Sequence, residues 1–177
     1  MLSRFWLFIE CLFKWKQTKP QGNLSDADCI IALSFGRGQN TSGYSNSAIA
    51  NIVRRLLEKR KLPILAQYEI ADFFNNGAVY SFGDISRYWT SWDLLSLIQE
   101  KVAENNWSKP VLVIHPWQLW RVIHHCRRLN IKEVIIPPGL GHIHFDCHSV
   151  QLWTKNSLFW LIREIPGRIY YFKKGMI

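Results

Sequence analysis

Three groups of side chains in this sequence have residue types suited to chemistry. The densest is GHIHFDCHS, residues 141–149. If this run is extended, its side chains alternate between two sides. His142, His144, Asp146 and His148 then share one side, with Ile143, Phe145 and Cys147 on the other. Neutral imidazoles and a carboxylate suit zinc, and three histidines with one acid fill a tetrahedral shell. Residues i and i+2 on a straight strand stand about 7 Å apart, so all four reach one ion only across a bend. Two of them with His115 is the easier arrangement. The same text also reads as a polar strand face turned to water.

The second group is Ser34, Gly36, Arg37, Gly38, Asn40, Thr41 and Ser42, which follow the apolar run Cys29–Leu33 and precede a helical pattern. Glycines let backbone amides approach an anion, and the helix start adds a positive dipole end. Arg37 adds a two-pronged donor for phosphate or carboxylate. The spacing is neither G-x-G-x-x-G nor a glycine loop ending in Gly-Lys-Ser/Thr, so neither a dinucleotide fingerprint nor an ATPase loop is predicted. An ordinary polar turn is the plain alternative. The third group is His115, Gln118 and Arg121, at the end of another apolar run and on the first turns of the helix after it. Arg121 there can clamp an anion against the glycine loop, or simply face solvent beside a capping histidine. His124 and His125 read as surface residues among Arg127 and Arg128.

The elements that must position these groups follow from periodicity. Cys29–Ser34, Ile64–Gln67, Pro110–His115 and Glu133–Ile136 are short apolar runs of the kind buried on both faces of a parallel sheet. Between them, Ser47–Lys61 places Ile49, Ile52, Val53 and Leu56 on one face, with cations opposite. Thr90 or Ser91 caps a helix reaching Asn105, and Pro116 opens one reaching Leu129. A C-terminal helical pattern begins near Ser149 and should break or kink at Pro166-Gly167. Asn75-Asn-Gly77 reads as a turn, and the stretch from there to Tyr88 fits no single element. The alternation predicts an α/β fold: a three-layer, Rossmann-like, open and mostly parallel sheet with helices on both faces. Right-handed crossovers then bring the loops after Leu33, Gln67 and His115 to one sheet edge.

Lys and Arg number 22 against 13 Asp and Glu, a charge that favours anionic partners. No nucleic-acid motif accompanies it, so no nucleic-acid partner is expected. Cys11, Cys29, Cys126 and Cys147 show no C-x-x-C spacing and predict reduced thiols. Residues 1–19 form an apolar and basic helical segment, and 20–177 a single domain. Phe5–Phe13 is shorter than the roughly 20 residues of a spanning helix, and no small-residue cleavage site follows it. The segment either packs on the domain or lies at a lipid interface with its lysines on anionic headgroups. The expected location is cytoplasmic, with peripheral contact at the inner membrane as the second reading.

In this order the chain resembles the bacterial family that includes SanA, ElyC and YdcF. DADCIIALSFGRG (26–38) is similar to the family's acidic residue, apolar strand and glycine turn. VLVIHPWQLWRVIHHCRRLNI (111–131) is similar to its strand, Thr-Ser-Pro-type turn and helix with His and Arg three apart. REIPGRIYYFKKG (163–175) is similar to its terminal Glu, Gly, Tyr-Tyr and Gly pattern, with Glu164 at the acidic position. The chain departs from the family at Gln118, where a histidine is usual, at Ile114-His115 in place of Thr-Ser, and at Asn46 in place of an arginine. It also has Gln67-Tyr68-Glu69 in place of a Ser-Gly-Gly turn. The resemblance implies a Rossmann-like fold, a small anionic or nucleotide-like ligand, S-adenosylmethionine among the candidates, and an envelope-related role. The alternatives are a non-catalytic membrane-associated scaffold and a metal-dependent hydrolase using His142, His144, Asp146 and His148, with zinc as the candidate ion.

Overall fold

The computed structural model describes residues 2–38, 43–75, 78–131 and 133–177. Asn40, Thr41, Ser42 and the tip of the 75–77 turn lie outside the described residues. Four strands, β1 (Cys29–Ala32), β2 (Ile64–Gln67), β3 (Val79–Phe82) and β4 (Pro110–Val113), form one sheet in the order β3-β2-β1-β4. Every neighbouring pair is parallel. Helices flank the sheet, so the fold is an open α/β sheet of Rossmann-like, three-layer form. β1, β2 and β4 are buried throughout, which is why their sequences are continuous apolar runs. β3 is a half-exposed edge, and its mixed polarity hides it in the sequence.

The expected strand at Glu133–Ile136 is reduced to two bridges. Ile135 pairs with Val111 and Ile136 with Gln21, after which Pro137 and Pro138 end the pairing. These contacts cover the outer edge of β4.

The main connecting helices are α1 (Leu2–Phe13), α2 (Tyr44–Lys59), α3 (Tyr68–Ala71), α4 (Ser91–Glu104), α5 (Pro116–Arg128) and α6 (Ser157–Lys173). Thr90 and Asp93 form a reciprocal capping box that starts α4. α6 begins later than its sequence pattern indicates and runs through Pro166 and Gly167 without ending. Glu164 and Arg168 are bonded on either side of the proline, and this anchoring carries the helix across the missing amide donor. α1 packs on α6 through Phe8 and Phe172, with ring centroids 5.1 Å apart, and buries Cys11 beside Trp120 and Ile177.

The chain passes from β1 outward to β2 and β3, then returns to β4 on the other side of β1. The β1–β4 gap is therefore the topological switch point, where open α/β sheets place a crevice beyond the strands' carboxyl ends.

Candidate functional site

A cavity of about 250 Å³ lies at this position. Residues at or beyond the ends of all four strands line it: Ser34, Gly36 and Arg37 after β1, Gln67 ending β2 with Tyr68 and Glu69 after it, Arg87 to Trp89 after β3, and Gln118 and Arg121 after β4. Trp153, Thr154 and Trp160 close it from the C-terminal segment. The loops expected at one sheet edge do meet there. Ser34, Gly36, Arg37, Gln118 and Arg121 are brought together, whereas Gly38 and His115 do not line the cavity.

The β1–α2 loop is held by side chains from distant parts of the chain. The Phe35 amide donates to Asn46 Oδ1 at 2.7 Å, and Asn46 Nδ2 donates to the Gly36 carbonyl at 2.9 Å. Gly36 has φ +80°, and a Cβ there would lie 2.6 Å from Thr154 Oγ1, so both conformation and space require glycine. The Arg37 amide donates to Ser149 Oγ at 3.2 Å, and the Val150 amide donates to the Arg37 carbonyl at 2.8 Å.

The histidine-rich segment has a different role from the one its spacing suggests. It is not a strand: His142 ends a short 3-10 turn (Leu140–His142), and His148 sits in a turn. Asp146 Oδ2 accepts from the Tyr44 amide at 2.8 Å, and its Oδ1 accepts from the His148 amide at 3.0 Å. Gly43, the residue before α2, supplies no side-chain cap, so Asp146 takes that place from across the chain. The helix start expected to draw a ligand anion is thus already neutralised by this carboxylate. The His144 carbonyl accepts from Ser45 Oγ at 2.7 Å, and the His142 and His144 side chains are exposed. Among the described residues, no group of three or more His, Cys, Asp or Glu is placed to hold a metal ion, so His142, His144, Asp146 and His148 do not form a zinc set.

His115 is fully buried and stacks on Phe35 with centroids 3.6 Å apart and planes 6° from parallel. Its Nδ1 accepts from the Trp117 amide at 3.4 Å and caps α5. Burial, with Lys16 and His144 nearby, pushes its pKa down to about 3, so the ring is neutral and acts in packing. His125 is likewise buried, not on the surface. It lies 3.4 Å from Ser91 Oγ and edge-on to Tyr171, and burial followed by the Arg121 charge holds it well below its ordinary value.

Arg121 does not wait for a ligand. Its Nε donates to Glu164 Oε1 at 2.8 Å, and its Nη1 bonds the Ser91 hydroxyl. The same Glu164 oxygen accepts from Arg168 Nε at 3.0 Å. Arg168 Nη1 donates to the carbonyls of Cys11 at 2.8 Å and Lys14 at 2.6 Å, and its guanidinium lies over Trp15 and Trp120. Two buried cations therefore share one carboxylate, and carbonyl dipoles and aromatic faces offset the remaining positive charge. This network also fastens the segment after α1 to α6.

The residue that sequence reasoning passed over is Glu69. It is 7% exposed, lines the cavity, and has one oxygen, Oε2, with no hydrogen-bond partner. Burial raises its pKa above the ordinary carboxylate value, while its own amide, the hydroxyls of Tyr68 and Ser34, and the Arg37 charge pull in the opposite direction. Gln118 Oε1 is a second buried acceptor without a partner in the same wall. The signal that could have found Glu69 was positional: Gln67-Tyr68-Glu69 leaves β2 at the same sheet edge as the glycine loop. On the rim, Tyr88 and Trp153 meet edge to face, and Arg163 lies over both rings.

Comparison with protein-family models, curated proteins and solved structures gives no match to this chain.

Proposed function

We propose that this chain is a small-molecule-binding domain whose ligand, anionic and nucleotide-like, occupies the cavity over the carboxyl ends of β1 and β4. The observation that carries this reading is Glu69, a buried cavity-wall carboxylate with an unpartnered oxygen beside the Arg37 charge. Leaving a buried acceptor unpaired costs about 1–3 kcal/mol. A ligand N–H removes that cost, and Gln118 Oε1 offers a second acceptor of the same kind. Arg37 supplies the cation for a phosphate or carboxylate. Tyr88, Trp89 and Trp153 offer aromatic surface for a planar ring. The resemblance to SanA, ElyC and YdcF supports the same ligand class. At about 250 Å³ the cavity is at the small end for ligand sites, which favours a mononucleotide-sized molecule over a dinucleotide.

Thermal-shift measurements with nucleoside monophosphates, sugar phosphates, S-adenosylmethionine and inorganic phosphate test the proposal. S-adenosylmethionine belongs in the panel because its ammonium and sulfonium suit Glu69 and its carboxylate suits Arg37. A ligand at 100 times its Kd adds about 2.7 kcal/mol, a rise of several degrees in Tm. Arg37→Ala should keep the Tm of the unliganded protein and lose that rise. A panel that leaves the wild-type Tm unmoved removes the reading.

A further inference from the structure

α6 is turned inside out. Its buried face carries Trp160, Glu164 and Arg168, while Leu158 is 64% exposed and Ile162 63% exposed. Ile165 is also exposed, and the spacing of 158, 162 and 165 places all three on one side of the helix, turned away from Glu164. A helix on a water-soluble domain normally shows the reverse arrangement. Single exposed apolar side chains are ordinary, but a continuous ridge of them marks a contact surface. Trp6 and Phe13 of the neighbouring α1 are exposed as well, as are Val150 and Leu152 just before α6. No helix among the described residues is long and apolar enough to cross a membrane, so this ridge does not belong to a spanning segment.

Charge decides which occupant fits. Lys14, Lys16 and Lys19 follow α1, and Lys173 and Lys174 end α6. Within residues 2–19 and 157–177 the only carboxylate side chains are Glu10, ion-paired with Lys14 at 2.9 Å, and the buried Glu164. An apolar ridge with a cationic border and an exposed aromatic residue on each helix, Trp6 and Tyr170, matches a surface of apolar chains under anionic headgroups. A second copy fits less well, because a two-fold interface would bring the same lysines face to face.

We propose that the outer face of α6, flanked by α1, docks on an anionic phospholipid bilayer. α6 lies in the interfacial plane, with Leu158, Ile162 and Ile165 below the headgroups and the lysines among them. This differs from an anchor confined to residues 1–19, because the contact is a helix of the folded domain. It is also independent of the ligand proposal, since none of these three side chains lines the cavity.

The test is co-sedimentation of the full chain with vesicles of phosphatidylcholine alone and of phosphatidylcholine mixed with phosphatidylglycerol, at low and high salt. Wild type should pellet with the mixed vesicles, less with the neutral ones and less at high salt. The double variant Leu158→Glu/Ile162→Glu should lower the bound fraction about tenfold or more, given what burying each side chain contributes. Leu158→Gln/Ile162→Gln should also weaken binding, and serves in place of the Glu pair if the circular dichroism melt shows that the latter is unfolded. Equal pelleting of wild type and both double variants overturns the proposal. So does a wild-type dimer in sedimentation velocity, abolished by the double variants, with no vesicle binding. Equal binding to neutral and mixed vesicles overturns the headgroup part.

Discussion

Glu164 and Glu69 are both buried glutamates, and their surroundings are opposite. Glu164 accepts from Arg121 at 2.8 Å and from Arg168 at 3.0 Å, and the arginines are held in turn by Ser91, two backbone carbonyls and aromatic faces. Glu69 has a cavity on one side and an oxygen with no partner. A buried carboxylate whose own pairing is complete fixes the relative positions of the elements around it, here α1, α4, α5 and α6, even though Arg168 Nη2 keeps no hydrogen-bond partner. An incomplete one has spare bonding capacity for something that arrives from outside. The contrast assigns Glu164 to the scaffold and Glu69 to the site, although Glu164 is the one whose position resembles a family motif.

The comparison is easiest to break at Glu164. Glu164→Gln leaves two buried guanidinium groups without their counter-charge and should destabilise the protein by about 3–5 kcal/mol in urea denaturation. A loss below about 1 kcal/mol would mean that the network behaves like an exposed ion pair and holds nothing together.

Acid should act next, through the buried His115. The folded-state pKa of His115, about 3, lies below its ordinary 6.5. The unfolded chain therefore binds more protons in that window, and stability falls as the pH drops through it, by on the order of a few kcal/mol. His115→Asn keeps a cap acceptor for α5 and removes the titration, so its stability should fall less between neutral pH and about pH 5. Parallel curves for wild type and variant would show that His115 is not held neutral.

The smallest effect is expected at Glu69. Its folded pKa is raised above the ordinary 4.5, so stability is fully present below that value and is lost as the pH rises through the folded value. Glu69→Gln should flatten that loss and leave the protein as stable as wild type at neutral pH, or more stable by about 1 kcal/mol. A cost comparable to that of Glu164→Gln would erase the distinction between the two glutamates.

The sheet and the edge that carries the cavity were legible because burial imposes periodicity on local sequence. Cys29–Leu33, Ile64–Gln67 and Pro110–His115 show the continuous apolarity of strands covered on both faces, and Thr90 with Asp93 and Pro116 show helix starts. The glycine loop after β1 and the first turns of α5, through Gln118 and Arg121, do share a hollow, as right-handed parallel connections require. β3 was not legible because a half-exposed edge strand of four residues has no clear period. The outward ridge of α6 was missed for a related reason: an apolar stripe reads the same in sequence whether it faces the core or solvent.

The sequence alone therefore determined three of the four strands, the main helices between them and the sheet edge at which the cavity lies, since these follow from the periods of neighbouring residues. Only the tertiary structure decided which polar groups are already paired. It made Asp146 the cap of a distant helix, His115 a stacking partner of Phe35 and Arg121 half of a buried ion pair, and it left Glu69 Oε2 without a partner. Hydrogen bonds form over about 3 Å in space between residues that, in this chain, are as many as 157 positions apart. Nothing in the local spacing of residues records that proximity.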